Sequence, residues 1–126
     1  MHNLRVLVVE DNNDDRILVV RALEGKVSTL DVTSSVEEAM PRLSSWRYDV
    51  IVADLSRPPG FSGFDLLKII AGSIDAAFIV LLDDEDEEVE QAVALGAVRV
   101  GKELDGRMAG LVAALEQIAA RKEAGQ

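Results

Sequence analysis

Residues 4–10, LRVLVVE, form an almost unbroken apolar and β-branched run, the pattern of a strand buried on both faces of a sheet. The following stretch, DDRILVVRALE (14–24), changes period. Its apolar positions recur at helical spacing, and Gly25 supplies a stop. The alternation then repeats. TLDVTS (29–34) reads as a weaker strand and SVEEAMPRLSSW (35–46) as a helix, with Ser35 as N-cap and Glu38 three residues on in a capping-box pattern. Pro41 falls inside that helix and removes a hydrogen-bond donor, so it should kink or shorten it. DVIVAD (49–54) predicts a strand, GFDLLKIIAG (63–72) a helix, AFIVLL (77–82) a strand and DEDEEVEQAVALG (84–96) a helix. AVRVG (97–101) predicts a short strand. Residues 106–122 form a last helix that turns Met108, Leu111, Val112, Leu115 and Ile118 toward a core.

Five buried strands alternating with five helices predict an α/β fold, a parallel sheet with helices on both faces in a doubly wound (βα)5 arrangement. The 126 residues suit one domain, taken as 1–126 with its core at about 3–122. Sites in such folds form beyond the carboxyl ends of the strands, near a topological switch point. The residues at those ends therefore carry the functional information. Glu10 and Asp11 follow the first strand, Asp54 ends the third, Asp83 follows the fourth, and Lys102 follows the fifth. Neither G-x-x-x-x-G-K-[ST] nor G-x-G-x-x-G is present, so the sequence shows no phosphate loop.

Charge and composition narrow the chemistry. A formal net charge of −10 argues against direct nucleic-acid binding, which needs basic surface. The absence of cysteine excludes disulfides and thiolate metal sites. No apolar run approaches the roughly 20 residues of a membrane span, and the N-terminus does not read as a signal peptide, so a cytoplasmic chain is expected. Two carboxylates about 4 Å apart repel by roughly 4 kcal/mol at an effective dielectric near 20. Crowded carboxylates at one sheet edge thus need a cation, and oxygen donors without His or Cys favour Mg²⁺ over Zn²⁺. A carboxylate beside Mg²⁺ and an ammonium is suited to attack a phosphoryl group.

VLVVEDNNDD, YDVIVADL and the Gly96–Ala97 pair leading to Lys102 resemble the receiver domain of two-component response regulators over about residues 3–122. The resemblance implies a flavodoxin-like, CheY-like fold and a Mg²⁺-dependent transfer of a phosphoryl group from a histidine kinase or phosphotransfer protein. It makes Asp54 the phosphoacceptor, with Asp11 binding Mg²⁺ directly, Glu10 acting mostly through water and the Ser56 backbone carbonyl as a further ligand. Lys102 would contact the phosphoryl group. The implied chain is a signalling phosphoacceptor rather than an enzyme, passing its state to a downstream effector. Receivers often dimerise around strands four and five, so the resemblance admits a homodimer there.

Departures from the family pattern are equally specific. Where the family carries a switch Ser or Thr at the end of strand four, this chain has Leu81, or Leu82 if one gap is allowed. Val100 or a neighbour replaces the fifth-strand aromatic, Glu103 stands where proline normally follows the lysine, and the loop LSRPPGFSG after Asp54 is one residue longer than usual. A phosphorylation-independent pseudo-receiver acting as an interaction module is the alternative. An aspartate-based phosphatase of the haloacid dehalogenase type is disfavoured, since that chemistry uses D-x-D and Asp54 precedes Leu55 and Ser56. The acidic run Asp83–Glu88 reads chiefly as a helix start, where negative charge meets the positive end of the macrodipole. His2 reads as solvated, and Trp46 and Tyr48 read as packing anchors.

Overall fold

The computed structural model describes residues 2–54, 68, 76–82, 93–101 and 108–125, and for Asp54, Leu82, Arg99 and Gly101 the backbone only. In chain order the elements are β1 (Arg5–Val9), α1 (Asn13–Leu23), β2 (Thr29–Thr33), α2 (Val36–Ser45), β3 (Val50–Asp54), β4 (Ala77–Leu82), β5 (Val98–Gly101) and α3 (Ala109–Ala124). The strands lie in the order β2-β1-β3-β4-β5, and every pairing is parallel. Among the described residues, no helix is long and apolar enough to cross a membrane.

Strand alternation sorts the core onto two faces. Leu7, Val9, Ile51, Ala53, Phe78 and Val80 pack with Val36 and Ala39 of α2 and with Tyr48. Val6, Val8, Val50, Val52, Ile79, Leu81 and Val100 pack instead with Val19, Ala22 and Leu23 of α1 and with Leu111, Leu115 and Ala119 of α3. Helices therefore cover both faces, as the continuous apolar runs require. Each fully buried Val, Leu or Ile contributes about 1.5–3 kcal/mol relative to an exposed one. The predicted helix 63–72 lies outside the described residues apart from Lys68, as does most of 84–96, of which Val93 and Ala94 are helical.

Local chemistry fixes the helix ends. The Asn12 side chain caps α1 by accepting from the Asp15 N–H at 2.9 Å. Ser35 caps α2 as expected, its hydroxyl accepting from the Glu38 N–H at 3.1 Å. The reciprocal arm of the box is displaced by one residue: Glu38 accepts from the Ser34 N–H at 3.2 Å and the Ser34 hydroxyl at 2.8 Å. These two bonds, the hydroxyl first, hold the Glu38 carboxyl below the usual carboxylate range. Pro41 does not shorten α2, which continues to Ser45. The predicted start of the last helix at 106 is corrected to Ala109. Met108 precedes it with φ 46°, in the left-handed region, which cannot continue into a right-handed helix.

Tyr48 is the packing anchor its position predicts. It is buried, and its hydroxyl donates to Asp31 Oδ2 at 2.5 Å. Burial first, then that carboxylate, raises its pKa above the ordinary phenol value. Trp46 corrects the same expectation, since at 58% exposed it lies on the surface at the end of α2. At the far end of the sheet, Lys122 of α3 donates to the Asn3 carbonyl at 2.6 Å and to Asp49 Oδ2 at 3.3 Å. The Arg5 N–H also donates to Asp49 Oδ2, at 2.9 Å.

Candidate functional site

β1 lies between β2 and β3, so the chain winds one way from β1 to β2 and the other way on to β3. The switch point falls between β1 and β3, where an open α/β sheet places its site. Val9 pairs with Ala53, which brings Glu10 level with Asp54 at the end of β3. The acid pair thus adjoins the β3 end that carries Asp54.

Glu10 is 1% exposed, whereas Asp11, one residue further into the β1–α1 turn, is exposed. Burying a carboxylate is costly unless nearby groups compensate it. The Asn12 N–H donates to Glu10 Oε1 at 3.1 Å. The Glu10 N–H donates to the Thr33 carbonyl at 3.1 Å, extending the β1–β2 ladder by one bond beyond the last strand residue. Thr33 is itself buried, its hydroxyl donating to the Val8 carbonyl at 3.0 Å. Arg16, on the first turns of α1, donates from Nη1 to the Glu10 carbonyl at 3.2 Å and from Nη2 to Asn13 Oδ1 at 2.6 Å.

Register shows which of the two leucines lies across from Asp54. Asp54 pairs with Leu81, and Leu81 with Val100. Leu81 shares the strand parity of Ile79 and the face of Val50 and Val52, whereas Leu82 has the opposite parity. Leu81, 1% exposed, is therefore the residue beside Asp54 at this edge.

The structure brings together Glu10, Asp11 and the β3 end that carries Asp54; Ser56, Asp83 and Lys102 lie outside the described residues. Among the described side chains no cluster of three or more His, Cys, Asp or Glu is placed to hold a metal. The donor set that is described, a buried and an exposed carboxylate adjoining a third aspartate position, consists of hard oxygen ligands and fits Mg²⁺. Sequence reading missed Asn12, Arg16 and Thr33. A polar residue before a helix signals a cap, but nothing in the local sequence shows that Arg16 reaches back to the strand end.

A family model described as response regulator receiver domain matches residues 6–105, and the chain belongs to that family. It is 32% identical over 101 residues to protein-glutamate methylesterase/protein-glutamine glutaminase 3 of Geobacter sulfurreducens, covering 78% of this chain. The matched stretch spans about 27% of that longer relative. Among solved structures, the N-terminal domain of an uncharacterized protein from Wolinella succinogenes is similar at 25% identity and TM-score 0.82, covering 98% of this chain and 99% of that one. Response regulator protein TrrA from Thermotoga maritima, in complex with Mg(2+)-BeF, matches at 25% identity and TM-score 0.78 over 91% and 98% of the two chains. Vibrio cholerae chemotaxis protein CheY4 shares the fold at 22% identity and TM-score 0.77, over 92% and 98%.

Proposed function

We propose that this receiver accepts a phosphoryl group on Asp54 from a phosphohistidine of a histidine kinase or phosphotransfer protein and relays the signal to a downstream effector. The observation that carries this reading is the register of β1 against β3, which sets Glu10 and Asp11 beside Asp54 at the switch point. A carboxylate oxygen of Asp54 attacks phosphorus, a P–O bond forms, the P–N bond to the donor imidazole breaks, and the nitrogen keeps the electron pair. The product is an acyl phosphate.

Glu10, Asp11, Asp54 and the Ser56 carbonyl would hold Mg²⁺, which when bound neutralises charge on the phosphoryl oxygens. The Lys102 ammonium would pair with one of those oxygens. The protein turns over no separate substrate, and assists only its own phosphorylation and dephosphorylation. A cytoplasmic setting suits such a donor. The exposed Val93, Leu95 and Val98, 42%, 47% and 38% accessible, support a homodimer through the β4–β5 side.

Incubation with Mg²⁺ and a small phosphodonor should raise the intact mass by one phosphoryl group in the native chain and not in Asp54→Ala. Folded native protein that gains no mass in donor excess would refute the proposal. Turnover of phosphate esters without a stable adduct would point to an enzyme instead.

A further inference from the structure

We propose that Arg16 is a positioning residue for the acid pair, fixing the β1–α1 turn in the conformation that presents Glu10 and Asp11 to the cation. The cation enters through the receiver reading; the pinning of the turn stands apart from it. β1 ends at Val9, so the Glu10 carbonyl lies beyond the strand, at the first peptide of the turn. Arg16 Nη1 donates to that carbonyl at 3.2 Å, while Nη2 donates to Asn13 Oδ1 at 2.6 Å on the first residue of α1.

One guanidinium thus ties the strand end to the helix start. The peptide plane it holds links Glu10 to Asp11, so one bond restrains the ψ of the first and the φ of the second. Bonds within the turn add to this tie: Asn12 N–H to Glu10 Oε1 at 3.1 Å, Asp15 N–H to Asn12 Oδ1 at 2.9 Å and Arg16 N–H to the Asn12 carbonyl at 2.9 Å, while the Glu10 N–H is held by the Thr33 carbonyl at 3.1 Å. A lysine at this position would supply a point charge but not a planar fork reaching two separate acceptors.

Two effects of Arg16 on cation affinity oppose each other. Its charge repels Mg²⁺, whereas its hydrogen bonds preorganise the ligands. Outer-shell partners of metal ligands typically change affinity by about 10–100-fold. Because Arg16 holds backbone rather than a ligand side chain, about tenfold is expected, with the ordering effect dominant.

The test titrates Mg²⁺ into the full chain and into Arg16→Met and Arg16→Lys, following amide resonances of residues 11–12, and measures hydrogen exchange of the Asn12 and Asp15 amides without metal. Arg16→Met should bind Mg²⁺ about tenfold more weakly. Arg16→Lys should follow it despite keeping its charge, and both should exchange those amides faster at unchanged thermal stability. Equal or tighter Mg²⁺ binding in Arg16→Met, with Arg16→Lys like the native chain, would reduce Arg16 to a repelling charge and overturn the proposal. Failure of the native chain to respond to Mg²⁺ would count against the receiver reading. Unaltered exchange in Arg16→Met would overturn the pinning whatever the metal does.

Discussion

Asp54 and Leu81 lie in register across the β3–β4 pair, so the neighbour of the proposed phosphoacceptor is a buried aliphatic side chain. A hydrogen bond to a charged group is worth about 1.5–3 kcal/mol, similar to a typical allosteric coupling energy of about 1–3 kcal/mol. A leucine at this position offers no such bond. On the proposed reading, phosphorylation of Asp54 would therefore lack this route of coupling through β4 to β5.

Leu81→Thr should lower stability by about 2–4 kcal/mol, because it removes packing from a buried site and buries a hydroxyl. It should also strengthen the response to Mg²⁺ with beryllofluoride. Thermal melts and β5 amide shifts, compared with Leu81→Ala, check this. The threonine variant should show larger ligand-induced shifts at Val98–Gly101 than either the native chain or the alanine variant.

Tyr48→Phe removes the donor to Asp31 Oδ2 and keeps the ring in its pocket. A loss of about 1.5 kcal/mol is expected, at the low end for a charged acceptor because Asp31 stays partly hydrated. The Tyr48 pKa is raised in the fold, so its contribution is complete below the unfolded phenol pKa and is lost as pH rises through the folded value. Urea unfolding of both proteins from neutral to alkaline pH should show the native curve falling and the Phe curve flatter.

Glu38 behaves in the opposite sense. Its pKa is lowered by the Ser34 hydroxyl and N–H, so its contribution is present above the unfolded carboxylate pKa and disappears as pH falls through the folded value. Glu38→Gln should flatten that acid limb in a denaturation series, and Ser34→Ala should do so in part. An unchanged acid limb in both would show that the capping bonds do not form in solution.

Lys122 joins α3 to the Asn3 carbonyl and to Asp49, and Asp49 also accepts from the Arg5 N–H. Lys122→Met should cost about 0.5–1.5 kcal/mol, given partial exposure of the pair. Hydrogen exchange should quicken in the last turn of α3 and leave the β1–β3 ladder unchanged.

Much of this fold was legible because strands buried on both faces leave long apolar runs. AFIVLL matches β4 end to end, and the other strands agree within a residue or two at each end. Helix boundaries were less readable where backbone conformation, rather than composition, decides them. The left-handed Met108 delays α3, and α2 continues past Pro41. Trp46 and Tyr48 are two residues apart and chemically alike, yet only tertiary packing buries one and exposes the other. The acid pair and Asp54 could be placed at one edge from strand order alone. Choosing Leu81 over Leu82 required the β3–β4 register, and finding Arg16 required the turn geometry.

The most direct test of the central claim is to locate the acyl phosphate chemically. After phosphorylation with Mg²⁺ and a small phosphodonor, borohydride reduction converts an aspartyl phosphate to homoserine, which peptide mass mapping assigns to one residue. Homoserine at position 54, lost when Mg²⁺ is withheld, is the expected result. Homoserine at Asp11 or Asp83, or none at any aspartate of the folded protein, would contradict phosphoryl acceptance at Asp54.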